Sequence, residues 1–158
     1  MSAKIYAAYG SNMNIEQMSK RCPKAILLGT GKLKNYRLTF RGSGRGVANI
    51  EKQVGRSVPI VLWELTKECE KSLDIYEGYP RLYVKKEVEV ITEQGEKVNT
   101  MAYVMTKEYE NMPAQPTRYY LDIIWNGYQK NKIPIRILRE AIAENLREID
   151  DNLKNRYF

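Results

Sequence analysis

SVPIVLWEL, residues 57 to 65, is the run that most limits what this chain can become. Its β-branched and aromatic residues follow one another without polar alternation, as in a central strand covered on both faces. Thr66 comes next and suits the cap of a helix over KECEKSLDIYEGY, in which Leu65, Cys69, Leu73 and Tyr76 recur on one face. A core must therefore form where a buried strand turns directly into a one-sided helix.

The flanking segments repeat this change of period. Residues 25 to 40 read as extended, with Leu33, Tyr36, Leu38 and Phe40 apolar and a bend at Gly29 and Gly31. GSGRG at 42 to 46 reads as a mobile turn. Residues 82 to 105 form a hairpin turning at Gln94-Gly95, with Val84, Val88 and Val90 on the first arm. Asn14 caps a short helix through about Cys22. Two more helices are expected, one from near Thr117 with Tyr120, Ile123, Ile124 and Tyr128, the other after Pro134 with Ile137, Leu138, Ile142, Leu146 and Ile149. Strands interrupted by helices give an α+β class: a mixed, mostly antiparallel sheet curling into a small barrel with flanking helices. Residues 1–158 read as a single domain.

Histidine is absent, which removes Ser-His and Cys-His nucleophile pairs, histidine bases and most zinc sites together. Cys22 and Cys69 fit no zinc or redox spacing and read as reduced packing residues. No apolar run approaches the ~20 residues of a membrane span. With Met1-Ser2-Ala3-Lys4 leading straight into the first strand, the expected compartment is the cytoplasm. Between Gln17 and Ile50 stand eight basic residues, Lys20, Arg21, Lys24, Lys32, Lys34, Arg37, Arg41 and Arg45, and no acid. They read as the solvent face of a strand and its loops rather than as a nucleic-acid footprint, because no nucleic-acid motif accompanies them.

Chemistry is sought first in YAAYGSNM, residues 6 to 13, where Gly10, Ser11 and Asn12 break a strand and expose backbone N–H groups. The second piece is LDIYEGYPRLY, residues 73 to 83. Glu77 ends an apolar helix face there, and Tyr76, Tyr79 and Tyr83 around it are expected to raise its pKa by burial.

Five stretches, YAAYGSNM, GKLKNYRLTF, VPIVLWEL, LDIYEGYPRLYVKKEVEV and AYVM, followed by QPTRYYLDIIWNG, together resemble the γ-glutamylcyclotransferase-like, or AIG2-like, family. The resemblance runs in order from about Ile5 to Gly127. It implies that Tyr9, Gly10, Ser11, Asn12 and Met13 form the substrate-holding loop, that Glu77 is the catalytic acid and base, and that Tyr83, Tyr103 and Tyr120 line the pocket. A register one residue earlier would put Tyr119 in place of Tyr120. The implied reaction is attack of a γ-glutamyl α-amine on its own γ-carbonyl, releasing 5-oxoproline and a free amine. That chemistry calls for no enzyme nucleophile, metal or cofactor, and its partner is a small γ-glutamyl molecule. The resemblance also permits a homodimer. Two other readings stay open: a γ-glutamyl-amine or γ-glutamyl-protected biosynthetic intermediate as substrate, or a noncatalytic polyanion-binding protein.

Overall fold

A computed structural model describes residues 4–158. In chain order the elements are β1 (Lys4–Ala8), a 3-10 turn (Ser11–Met13), α1 (Ile15–Arg21), β2 (Ile26–Arg41), β3 (Val47–Leu65) and α2 (Lys67–Glu77). Then come β4 (Tyr83–Thr92), β5 (Lys97–Met105), a 3-10 turn (Lys107–Tyr109), α3 (Arg118–Lys130) and α4 (Arg136–Tyr157). Three helices start where a side chain can take up an orphan amide. Asn14 Oδ1 accepts from Gln17 N–H at 2.9 Å, Thr66 Oγ1 from Cys69 N–H at 3.1 Å, and Thr117 Oγ1 from Tyr120 N–H at 3.2 Å.

The strands close into a barrel in the order β1-β3-β2-β4-β5. Every neighbouring pair is antiparallel except β5 with β1, which meet in parallel at Tyr6 and Met101. The barrel interior is filled by residues such as Leu38, Phe40, Ile50, Ile60 and Val90, all at most 2% exposed. Lys4 pairs with Leu65 and Ala8 with Val61, so β3 ends beside the start of β1. The helix that follows, α2, is 11 residues long and carries the chain roughly 16 Å back along the barrel at about 1.5 Å per residue. That return brings Glu77 to the end where β1 stops, and this is the feature of the fold that builds the site.

Three expectations change. β3 begins at Val47, not Ser57, because residues 47–52 already pair with β2; residues 53–56 then loop out opposite Asn35 at the Lys34/Tyr36 register shift, and a second shift lies at Leu27/Gly29. The GSGRG turn is tied down at both ends: Gly42 N–H donates to Met112 O at 3.1 Å and Gly46 N–H to Gln115 O at 3.0 Å. The basic segment is also not all solvent face. Arg41 is 2% exposed, with Nε donating to Glu51 Oε2 and Nη2 to Glu148 Oε2, both at 2.8 Å. Arg37 pairs with Glu51, Glu144 and Glu148. These ions fasten α4 to β2 and β3 and withdraw two cations from any polyanion surface. Arg41→Met removes the buried, shorter contacts and leaves Glu51 and Glu148 sharing only Arg37 at 3.4 and 3.5 Å, so a loss of about 3 kcal/mol is expected in urea unfolding. An unchanged urea midpoint would show that the network adds nothing to stability.

Candidate active site

Gly10 leaves β1, and Ser11 to Met13 close one 3-10 turn in which Met13 N–H donates to Gly10 O at 3.0 Å. The amides of Ser11 and Asn12 precede that first bond, and no side chain caps the turn, so they keep their protons for a ligand. The turn is rigid for reasons far away in the chain. Trp63 Nε1 on β3 donates to Asn12 O at 2.9 Å, and Asn131 Nδ2 after α3 donates to Met13 O at 3.0 Å. Gly127 lets α3 approach this closely, since a Cβ there would stand 3.0 Å from both Met13 Cβ and Asn14 N.

On the far side, α2 ends at Gly78, whose φ of 67° is the left-handed conformation glycine tolerates best. Tyr79 N–H closes back on Asp74 O at 2.9 Å, which makes Glu77 the last helical residue and points it at the turn. Asn12 Nδ2 donates to Glu77 Oε1 at 3.2 Å and to Tyr6 Oη at 3.0 Å. Burial pushes the Glu77 carboxyl up to about 7, although the Arg21 charge and the Asn12 donor both pull it down. A carboxyl with that value can both take and return a proton near neutrality.

Between turn and helix end lies a cavity of ≈ 210 Å³, with Tyr76 at its rim and five further tyrosines on its walls. Their hydroxyl protons fall into two sets. Tyr9 donates to Tyr103 O, Tyr83 to Ala48 O at 2.6 Å, and Tyr103 to Asp74 Oδ1 at 2.6 Å. Those three phenols brace the walls. Tyr6 and Tyr120 instead accept, Tyr6 from Asn12 Nδ2 and Tyr120 from Ala48 N–H at 2.9 Å, so their own protons remain to be offered inward. Burial holds Tyr6, Tyr9 and Tyr83 well above the ordinary phenol range and raises Tyr103 and Tyr120 as well, so all five stay neutral donors. Among the described residues no group of three or more His, Cys, Asp or Glu is arranged to hold a metal ion.

The family model for "Gamma-glutamyl cyclotransferase, AIG2-like" matches residues 6–122, well over half of the chain. The chain belongs to this family of enzymes. It is 33% identical to a γ-glutamylcyclotransferase of Homo sapiens, over 94% of this chain and 79% of that one. Against a γ-glutamylcyclotransferase of Bos taurus the identity is also 33%, over 83% and 73%. A solved γ-glutamyl cyclotransferase structure superposes with a TM-score of 0.79 at 32% identity, covering 88% of this chain and 86% of that chain. The α+β barrel is the fold of this family.

Tyr9, Gly10, Ser11, Asn12, Glu77, Tyr83, Tyr103 and Tyr120 all line the one cavity. Met13 does not: its side chain is fully buried under α3 and its amide is spent on Gly10, so it anchors the loop from beneath. Tyr120 is the residue that reaches the cavity, while Tyr119 is 75% exposed on the outer face of α3. Tyr79 does not shield Glu77; it is 41% exposed, with the Lys85 ammonium 4.5 Å from its ring centre. Tyr76 is only a rim residue, and Tyr6 and Tyr9 on the other side of the cavity supply what Tyr79 was expected to give. Tyr6 is a wall residue that the loop motif does not point to, because it stands on β1 before the loop and its strand spacing alone does not show which face meets Glu77. Cys22 and Cys69 sit in the core, where burial pushes the Cys22 thiol up to about 12 and its Sγ donates to Cys69 O at 3.3 Å.

No helix among the described residues is long and apolar enough to cross a membrane.

Proposed function

We propose that the protein is a γ-glutamylcyclotransferase-type enzyme releasing 5-oxoproline and a free amine from a small γ-glutamyl compound. The observation that carries this reading is the meeting of Glu77, poised near neutrality, with the donor-rich turn of residues 10–12 across one small cavity. The chemistry needs little more. The substrate folds so that its α-amine reaches its γ-carbonyl carbon, a new C–N bond closes the five-membered lactam, and the original amide C–N bond breaks. Glu77 takes a proton from the α-ammonium, the attacking nitrogen sheds a second as the ring closes, and the leaving amine takes up two, one of them from Glu77, so it departs as an ammonium and Glu77 ends as it began. The Ser11 and Asn12 amides and the Tyr6 and Tyr120 hydroxyls are the donors available to the substrate carboxylate and to the oxyanion of the tetrahedral intermediate. Holding a chain of this length in attack geometry can lower the barrier by roughly 7–11 kcal/mol, so positioning carries much of the catalysis.

The test is formation of 5-oxoproline, followed by mass spectrometry, over a panel of γ-glutamyl amino acids, γ-glutamyl-amines and glutathione. Release from at least one class is expected, and the preferred class identifies the leaving group. No 5-oxoproline from any of them, with folded protein, overturns the reading.

The pH dependence has a definite sign. The base is the carboxylate, which exists above the Glu77 pKa of about 7, so kcat/KM should rise with pH along a limb centred near that value. A profile flat from pH 5 to 8 would mean that no group like Glu77 limits the reaction.

A further inference from the structure

Arg21, at the last turn of α1, is the one member of the basic segment that reaches toward Glu77, and the chemistry above gives it no part. Its guanidinium makes a dense set of contacts. Nη1 donates to Asn12 Oδ1 and to Ser11 Oγ at 3.2 Å, Nη2 donates to Tyr76 Oη, and the guanidinium carbon lies 3.6 Å from the centre of the Tyr76 ring. We propose that Arg21 is a positioning residue for the proton-transferring carboxylate: it fixes the Asn12 amide in the orientation that donates to Glu77 and ties the end of α2 to the substrate loop.

The argument rests on what each group can offer. An asparagine amide has a donor end and an acceptor end of nearly the same shape, so its neighbours decide which faces where. Arginine can only donate. With Nη1 against it, the Asn12 oxygen is fixed on the α1 side, and its nitrogen must face Glu77 and Tyr6. Reversed, the amide would set an oxygen against the carboxylate and favour the protonated acid. The second half of the fork acts on the other wall, because Tyr76 is the residue before Glu77 on α2. One side chain therefore holds the base, its hydrogen-bond donor and the loop in a common frame, which a planar fork does better than a point charge.

The electrostatics run in the same direction. Facing Glu77 are Asn12, Tyr6 and Tyr9 from β1 and its turn, Tyr83 and Tyr103 from β4 and β5, Tyr120 from α3 and Arg21 from α1. Asp74, one turn earlier on α2, is engaged by Lys85 and by the Tyr103 hydroxyl. The tyrosines are neutral, which leaves Arg21 as the cation that opposes the burial of Glu77 among these residues.

The inference rests on the cyclotransferase reading, and its test separates the two. Arg21→Gln, Arg21→Lys and Tyr76→Phe are compared with the parent protein in two assays: the pH profile of γ-glutamyl-alanine turnover, and titration of the Glu77 carboxyl by ¹³C NMR without substrate, assigned by its loss in Glu77→Gln. In Arg21→Gln the Glu77 titration and the acid limb of kcat/KM should both move up by about one pH unit. Arg21→Lys keeps the charge but cannot hold Asn12, Ser11 and Tyr76 together, so its limb should move less while kcat falls about tenfold. Tyr76→Phe should fall between it and the parent protein. A merely structural arginine would lower melting without moving the Glu77 titration. An unmoved titration in folded Arg21→Gln overturns the proposal; if that variant does not fold, unchanged kcat in folded Arg21→Lys does so. Should the parent protein release no 5-oxoproline, the cyclotransferase reading fails, and the NMR titration still decides whether Arg21 sets the state of Glu77.

Discussion

Glu77→Gln is expected to fold normally and to lose at least about 10²-fold in kcat, the scale of a positioned acid-base group. The amide fills the same volume and its oxygen can still accept from Asn12 Nδ2, now 3.2 Å from the carboxylate. It cannot accept and return a proton. Stability supplies a second and independent reading of the same side chain. Its pKa is raised from 4.5 to about 7 in the folded protein, so between those values the folded state binds more protons than the unfolded chain. By linkage, Glu77 then makes stability fall as pH rises from about 4.5 to 7. Replacing it with a group that does not ionise should remove that loss, leaving the variant about 1–3 kcal/mol more stable than the parent at pH 8 and nearly equal to it at pH 4. Low activity joined to a higher melting temperature at pH 8 is the signature of a base held buried for function. Near-parental turnover in the folded variant would remove Glu77 from the reaction. Equal stability at both pH values would mean that its carboxyl is not held above its ordinary range.

What the sequence makes legible is what local chemistry decides. Asn14, Thr66 and Thr117 announce their helices because a cap acts on an amide two or three residues away. Gln94-Gly95 announces its hairpin through a turn in which Gly95 takes a φ of 85°. The illegible parts depend on partners far along the chain. Arg41 reads as a surface cation until Glu148, 107 residues later, arrives on α4 to bury it. Tyr79 reads as a shield for Glu77 because it is close in sequence, yet the helix has already ended at Gly78 and the chain turns away. The shielding comes instead from β1, brought opposite by barrel closure, and no periodicity in residues 73 to 83 could have shown it. Met13 shows the same limit from the other side: it belongs to the loop motif by position but faces the core, because a tight turn cannot point every residue at one ligand.

Gly10→Val is expected to cost catalysis more than it costs the fold. Gly10 has a φ of −120°, outside the left-handed region, and what a side chain there would meet is set by the space around it. A Cβ at this position would stand 3.0 Å from Ala48 Cβ and 3.5 Å from Tyr120 Oη. Alanine would need a shift of a few tenths of an ångström. Valine adds two methyl groups beyond that point, with a stiff χ1 that leaves few ways to turn them aside. The groups that must yield are Ala48, whose N–H donates to Tyr120 Oη at 2.9 Å, and Tyr120 itself, one of the phenols with a proton left to offer. Overpacking of this kind costs about 1–3 kcal/mol, a loss a domain of ordinary stability survives folded. A displacement of about 1 Å among groups that hold a reacting substrate can cost about 10²-fold in rate. Thermal melting and steady-state kinetics on one preparation should therefore show a folded protein with kcat/KM down by at least about 10²-fold, and Gly10→Ala between it and the parent. If folded Gly10→Val kept its KM and kcat, the turn of residues 10–12 would be only a strand end, and the substrate would have to be held elsewhere in the cavity.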